Sequence, residues 1–263
     1  MTSGTNLFTD GAAYERLMGR WSKIVGQHFL QWLALPQGLR WIDVGCGTGV
    51  FTAELIKASS PSKVLAIDPS AEQLAYARKI PSLDTTDFQV GDAQEIPSED
   101  NSLDVAVMAL VIHFVPNPAR AVAEMARVVR PGGCVASYVW DYSVSGSPSA
   151  PIAAALKSLG LPSPPPPSAS ATSMAVLTDL WHAAGLANIQ TTPIRIPVMF
   201  SDFEDFWSSM TVPVGPVGKA IADMAPESVR RLRQALQEQA SIQDDGTVVY
   251  EAVANSIKGH VAP

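Results

Sequence analysis

Cysteine is scarce in this sequence of 263 residues. There are only two, Cys46 and Cys134, which is too few for a disulfide framework. Both lie inside apparent core segments, so we expect two buried thiols in a reducing compartment. The four histidines show no metal-ligand spacing, and we expect no metal.

Long apolar runs are also missing. No stretch approaches the roughly 20 apolar residues that a bilayer-spanning helix needs. A secretory leader has a basic segment followed by an apolar one, and the first residues contain no such pattern. We therefore expect a cytoplasmic protein without a membrane partner.

Positive charge is in short supply. The 18 Lys and Arg residues are outnumbered by 25 Asp and Glu residues, for a formal net charge of −7. An acidic chain repels phosphate backbones, and no dense Lys/Arg stripe reverses this locally. Nucleic acid is therefore disfavoured as a partner, whereas the 47% apolar content fits a folded globular chain.

Short apolar runs alternate with helical patterns along the chain. Such alternation predicts parallel βαβ units in an α/β, Rossmann-like, doubly wound sheet with helices on both faces. The helical pattern starts at Tyr14. The predicted strands are 40–44, 64–67, 88–90, 103–109 and 134–140, followed later by 189–198 and 247–257.

The whole chain, 1–263, is predicted to be a single domain. Its cofactor-binding core spans about residues 12–142. Residues 143–175 are rich in Pro, Ser and Ala and are predicted to form a semi-rigid connection. Residues 202–240 are predicted to be a helical insertion that caps a substrate.

A glycine-rich string lies between the first strand and the next helix. It reads Asp43-Val44-Gly45-Cys46-Gly47-Thr48-Gly49. Glycines there let a ligand approach the backbone, and the following helix offers free N–H groups. The dinucleotide fingerprint requires G-x-G-x-x-G, and Val50 occupies the place of its last glycine.

Acidic residues follow the next two strands. Asp68 ends the second strand, 19 residues after Gly49 (68 − 49 = 19), where a carboxylate can accept ribose hydroxyl protons. Asp92 follows the third strand in Gly91-Asp92-Ala93. Together with Asp43 in the first strand, these acids lie at three consecutive strand ends. This arrangement favours a nucleoside-type cofactor site over three unrelated turn residues.

With these motifs the chain resembles the class I S-adenosylmethionine-dependent methyltransferases, in the group that includes the ubiquinone and menaquinone methyltransferases. Ile42–Gly49 resembles the family's "LDVGCGTG" motif, and 103–105 with 127–133 resembles "FDLV … RVLKPGG". The resemblance covers about residues 12–142. It implies a seven-stranded sheet of order 3-2-1-4-5-7-6 with the last strand antiparallel.

The resemblance also implies a set of cofactor-binding residues for S-adenosylmethionine, whose product is S-adenosylhomocysteine. The methionine half would lie against Asp43, Gly45, Cys46, Gly47 and Gly49. The ribose would lie at Asp68, Pro69 and Ser70, the adenine at Asp92 and Ala93, and the sulfonium near Ala109 and Leu110.

Sequence motifs say less about the residues that would bind the methyl acceptor. His113 is a candidate general base, with a helix-face histidine as the alternative. By the resemblance, an N-terminal helix closes over the cofactor, and Tyr14 and Arg20 lie near its carboxylate or near the acceptor. Residues 202–212 would roof an apolar pocket for a small molecule. The candidate acceptor residues are Tyr14, Trp21, Trp140, Phe203 and Trp207, unless these aromatics only pack the inserted helices onto the core.

Three other functions stay open at this point: a non-catalytic S-adenosylmethionine-binding module, an NAD(P)-dependent oxidoreductase and a nucleic-acid methyltransferase. Val50 argues against the oxidoreductase. Families that methylate base amines resemble one another in an Asn/Asp-Pro-Pro-aromatic run, where this chain has Leu110-Val111-Ile112-His113. The sequence decides neither the acceptor nor whether the protein is a monomer or a homodimer.

Overall fold

The computed structural model describes residues 19–163, 165–213 and 215–263. Within them one seven-stranded sheet runs through the molecule. The strands are β1 (Arg40–Val44), β2 (Lys63–Asp68), β3 (Asp87–Val90), β4 (Leu103–Ala109), β5 (Val129–Trp140), β6 (Leu186–Phe200) and β7 (Val248–Val261).

Helices precede, connect and cap these strands. They are α1 (Arg20–Leu33), α2 (Val50–Ser59), α3 (Ala71–Ala77), α4 (Pro118–Val128), α5 (Ala150–Ser158), α6 (Met174–Ala183), α7 (Phe203–Met210), α8 (Gly215–Ala222) and α9 (Pro226–Gln239). No helix in the described part of the chain is long and apolar enough to cross a bilayer.

The strand order is β3-β2-β1-β4-β5-β7-β6, which confirms the predicted topology. β1 to β5 are parallel, and β7 is antiparallel to both of its neighbours. Trp140, the last residue of β5, pairs with Ala254, whereas β6 and β7 continue to the pair Phe200 and Val248. These two strands therefore extend past the carboxyl edge at which β1, β2 and β4 end.

Apolar layers cover both faces of the sheet. One layer includes α1, α5, α7 and α9, and the other includes α4 and α6. Both cysteines are free and buried, as the sequence predicts: Cys134 lies in the first layer, and Cys46 lies in a smaller apolar cluster beside α3.

An ion-pair cluster ties together the strand ends opposite the carboxyl edge. Asp104 accepts hydrogen bonds from the backbone N–H and guanidinium of Arg40 and from the Arg130 guanidinium. These contacts hold the pKa of Asp104 well below its usual range. The cluster links β1, β4 and β5 far from the glycine loop.

Several segment boundaries differ from the predictions, and the predicted helix start at Tyr14 lies outside the described residues. The connection 143–175 contains α5, because its alanine-rich part buries Ile152 and Leu156 against the core. β5 begins at Val129 rather than at Cys134, and an irregularity in its pairing with β4 accommodates Arg-Pro-Gly-Gly. The helix predicted from Tyr14 is described only from Arg20 onward. Residues 202–240 contain α7, α8 and α9.

Candidate cofactor site

The glycine loop joins β1 to α2 at the carboxyl edge of the sheet. β1 lies between β2 and β4, so the loop sits where the strand order reverses, the usual ligand position in doubly wound sheets. Gly45, Gly47 and Gly49 have positive φ angles of 80°, 54° and 84°. Residues with a Cβ rarely adopt this backbone, so the local fold explains all three glycines.

The loop is also closely packed. A Cβ at Gly45 would lie 2.6 Å from a methyl group of Val111, and a Cβ at Gly49 would lie 2.5 Å from Leu83 Cδ1. Val111 follows β4, so the glycines let the chain segments after β1 and β4 approach each other. Sequence spacing gave no signal for Val111.

Asp68 is bound to this loop from the end of β2. Its Oδ2 accepts the N–H of Gly47 at 2.9 Å, and its Oδ1 accepts the N–H of Ser70 at 2.8 Å. The side chain is buried, which raises its pKa in spite of these two hydrogen bonds. Each carboxylate oxygen retains further acceptor capacity for a ligand hydroxyl.

Asp43, in β1, is fully buried. Its Oδ2 accepts the hydroxyl proton of Thr52 at 2.6 Å, whereas its Oδ1 has no hydrogen-bond partner within the described part of the chain. Burial raises its pKa to about 7, and the nearby Asp68 charge adds to the effect. Thr52 was not predicted, although a polar residue in the first turn of α2 could have indicated it.

The other predicted cofactor residues shape the loops beside Asp68 and after β3. Ser70 caps α3 by accepting the N–H of Gln73 at 3.2 Å, and Pro69 is exposed. Asp92 is exposed and accepts the N–H of Gln94 at 2.8 Å, while Ala93 is partly buried. In this structure Asp92 serves as a turn residue, and its contact with adenine stays a prediction.

The chain bends sharply after β4. Ala109 is partly exposed at the strand end, and Leu110 has a φ of +59° with its N–H bonded to the Tyr138 carbonyl. A leucine in the left-handed region is rare, and such strain concentrates at functional sites. The bend lies beside the glycine loop, where the resemblance implies cofactor contact.

His113 lies in the short 3₁₀ turn that follows this bend. The residue is 2% exposed, and none of the described residues forms a hydrogen bond with its Nδ1. Its ring packs on Phe114 and Tyr142, with centroids 4.0 and 5.3 Å away. Burial lowers its pKa to about 3, so the imidazole is neutral at pH 7.

A polar network that sequence reasoning missed holds Tyr142 in place. Asp141 accepts the Asn255 Nδ2–H at 2.7 Å, and the same amide donates to the Thr172 carbonyl at 2.9 Å. The Thr172 hydroxyl oxygen accepts the N–H of Tyr142 at 3.2 Å. These residues come from three distant segments, so no local pattern could reveal the network.

The predicted acceptor residues do not form one exposed patch. Trp21, Trp140 and Phe203 are buried, so much of their surface already contacts protein. Trp207 is partly buried, with the Arg233 guanidinium 5.5 Å from its ring centroid. Tyr14 lies outside the described residues, and an acceptor contact stays a prediction for all five.

Arg20 lies at the exposed start of α1. Its guanidinium is 4.2 Å from the Trp21 ring centroid and 4.9 Å from that of Phe200. Phe200 ends β6 on the part of the sheet that extends past β5. Arg20 thus borders the capped side of the carboxyl edge, and its contact with the cofactor or the acceptor stays a prediction.

Residues 42–137, which span β1 to β5, match a protein family described as the methyltransferase domain. This part of the chain is therefore similar to the methyltransferase domain. The match confirms, over this region, the resemblance to methyltransferases that the sequence motifs indicate. Asp43, the glycine loop and Asp68 all lie within it.

Curated relatives align with the methyltransferase domain over a limited span. An uncharacterized methyltransferase of Mycobacterium tuberculosis is 40% identical over 112 residues, which are 43% of this chain and 44% of that protein. The demethylmenaquinone methyltransferase of Staphylococcus aureus is 36% identical over 115 residues, 43% of this chain and 48% of that protein. The chain thus matches just under half the length of these relatives.

Solved structures resemble the chain over nearly its whole length. The YcgJ protein of Bacillus subtilis has a TM-score of 0.60 at 17% identity, covering 93% of this chain and 99% of that one. Phosphoethanolamine N-methyltransferase 2 of Haemonchus contortus, solved with S-adenosyl-L-methionine, has a TM-score of 0.58 at 14% identity, covering 96% and 57%. At these identities the likeness shows the fold.

Proposed function

We propose that this chain binds S-adenosylmethionine and transfers its methyl group to a small-molecule acceptor, leaving S-adenosylhomocysteine. The observation that carries the proposal is the glycine loop, with Gly47 hydrogen-bonded to Asp68 at the point where strand order reverses. The methyltransferase relatives and the S-adenosylmethionine in the Haemonchus contortus structure support this choice of cofactor.

The polar atoms of the site fit such a cofactor. S-Adenosylmethionine carries a sulfonium and an ammonium, and both Asp43 and Asp68 are buried acids with raised pKa values. Asp43 Oδ1 is a buried oxygen without a hydrogen-bond partner in the described ranges, and most buried polar atoms in folded proteins have one. We assign the methionine half to Asp43 and the Gly45–Gly49 loop, and the ribose to Asp68.

The bound cofactor would supply an already activated methyl group, so the protein has little chemistry left to perform. The chain's contribution is alignment and exclusion of water, and alignment of reacting groups is worth roughly 7–11 kcal/mol in favourable cases. The strained bend at Leu110 and the close approach of Val111 to Gly45 would hold the two chain segments beside the cofactor in place.

His113 is poorly suited to take a proton from the acceptor. An imidazole with a pKa near 3 is a weak base at neutral pH. We assign it instead to the acceptor side as a neutral hydrogen-bonding ring, fixed by Tyr142. An acceptor that already carries an unprotonated nucleophile fits this arrangement.

The acceptor is proposed to be small and largely apolar. The cap of α5, α7 and α9 on the extended β6–β7 pair is built mainly of apolar side chains, which favours an apolar acceptor. The net charge of −7 disfavours a nucleic-acid substrate. We also propose a cytoplasmic location, supported by the two free, buried thiols.

Ligand-dependent stabilisation tests the proposal. S-Adenosylhomocysteine should raise the melting temperature, because a ligand that binds only the folded state stabilises it. NAD is the comparison ligand and should have no effect. The absence of a shift with millimolar S-adenosylhomocysteine, or an equal shift with NAD, would refute the proposed cofactor. Formation of S-adenosylhomocysteine with a panel of small acceptors then separates an enzyme from a binding module.

A further inference from the structure

Gln73, in the first turn of α3, has a buried amide oxygen with no assigned function. The residue is 8% exposed, and its Oε1 has no hydrogen-bond partner among the residues that the structure describes. Its backbone N–H donates to Ser70 Oγ at 3.2 Å, so the helix start is held in place. A buried acceptor without a donor is uncommon, because it loses its hydrogen bonds to water without replacement.

The unpartnered oxygen lies against the glycine loop. A Cβ at Gly47 would be 3.3 Å from Gln73 Oε1, and Gly47 is the residue whose N–H donates to Asp68 Oδ2. The Asp68 carboxylate and the Gln73 amide oxygen thus both lie next to Gly47. The absence of a side chain at Gly47 leaves room for the amide.

The Asp68 and Gln73 side chains keep hydrogen-bond acceptor positions that the described protein groups do not fill. Asp68 already takes one N–H on each oxygen, from Gly47 and Ser70. Each of these oxygens keeps one further acceptor position, and Gln73 Oε1 keeps both of its own. A ligand that satisfies this group of atoms must bring more than one donor on neighbouring atoms.

We propose that Gln73 is a second ribose-binding residue, which accepts a hydrogen bond from one ribose hydroxyl while Asp68 accepts from the diol. The assignment rests on the proposed function, since it takes the ribose of S-adenosylmethionine as the diol donor. It adds a residue outside the glycine string and the acid motifs. Specificity for an intact ribose follows, because removing a hydroxyl leaves a buried acceptor unpaired.

Calorimetry with Gln73→Met tests the assignment. Methionine has nearly the same length and keeps the helix, but it lacks the acceptor oxygen. The probes are S-adenosylhomocysteine and its 2′-deoxy and 3′-deoxy analogues. We expect the variant to bind S-adenosylhomocysteine about 2- to 12-fold more weakly, the range for one neutral hydrogen bond. For one deoxy analogue, wild type and variant should bind equally.

Gln190→Met is the matched control, since Gln190 is exposed on β6, and it should leave every affinity unchanged. The melting temperature of unliganded Gln73→Met should not fall, because an apolar group replaces an unpaired buried oxygen. Unchanged affinity in Gln73→Met, or an equal loss for all three ligands, would overturn the assignment.

A measurement on the wild type keeps the proposal testable if Gln73→Met does not fold. The side-chain carbonyl ¹³C resonance of Gln73 should move downfield with S-adenosylhomocysteine and stay in place with the deoxy analogue that lacks its donor. Movement with all three ligands, or with none, would overturn the proposal. Failure of S-adenosylhomocysteine itself to bind wild type would instead refute the cofactor assignment.

Discussion

Neutralising Asp43 should make the unliganded protein more stable at alkaline pH. Its pKa is about 7 in the folded chain and about 3.9 in an unfolded one. Between these values the folded state holds a proton that the unfolded chain has released. The free energy of unfolding therefore falls as pH rises from about 4 to 7. The stabilisation that protonated Asp43 provides is fully present only below about pH 4.

The size of the effect follows from the two pKa values. A difference of about three pKa units corresponds to about 4 kcal/mol, of which about 3 kcal/mol is lost between pH 5 and pH 8. Asp43→Asn removes the ionisation and keeps an oxygen that can accept the Thr52 hydroxyl proton. Compared with the variant, the wild type should lose about 3 kcal/mol over this range.

Urea unfolding of both proteins at pH 5, 6, 7 and 8 measures the difference directly. Taking the difference between wild type and variant cancels the titration of the groups that do not interact with Asp43. Asp179→Asn, which removes an exposed carboxylate on α6, controls for the loss of one ionisable group. If the stability difference between wild type and Asp43→Asn is the same at all four pH values, Asp43 is not a desolvated acid and the argument fails.

Three further substitutions separate binding, stability and chemistry. Asp68→Asn should weaken S-adenosylhomocysteine binding by roughly 1.5–3 kcal/mol, the range for hydrogen bonds to a charged group; unchanged calorimetric affinity in the folded variant would contradict its ribose role. Asp104→Asn should lower the free energy of unfolding by roughly 1–3 kcal/mol, because Arg40 and Arg130 lose their shared carboxylate. Cofactor affinity should stay the same. An unchanged urea-unfolding midpoint would refute the stabilising role of Asp104. His113→Gln should lower turnover but should not change the pH dependence of the rate near pH 6.5, because burial lowers the histidine pKa to about 3. If the variant loses a pH-dependent step near pH 6.5 that the wild type shows, His113 acts as a general base.

The alternation of strand and helix patterns was sufficient to predict the sheet. Each strand carries its own signal, such as the nearly continuous apolar run Leu103–Ala109, and right-handed crossovers leave few ways to connect parallel strands. The strand order itself came from the family resemblance and is confirmed. Boundaries were less accurate at α5 and β5, because burial of alanine-rich or glycine-containing segments depends on what packs against them.

The sequence by itself determined the glycine loop and the position of Asp68. Both depend on short-range geometry: glycines allow the positive φ angles at Gly45 and Gly47, and a residue that ends one parallel strand reaches the edge where its neighbour ends. Only the tertiary structure decided the state of the other polar groups. Burial sets the pKa of Asp43 and His113 and leaves Gln73 Oε1 unpaired. Desolvation depends on every segment that covers a group, and those segments are distant in the sequence.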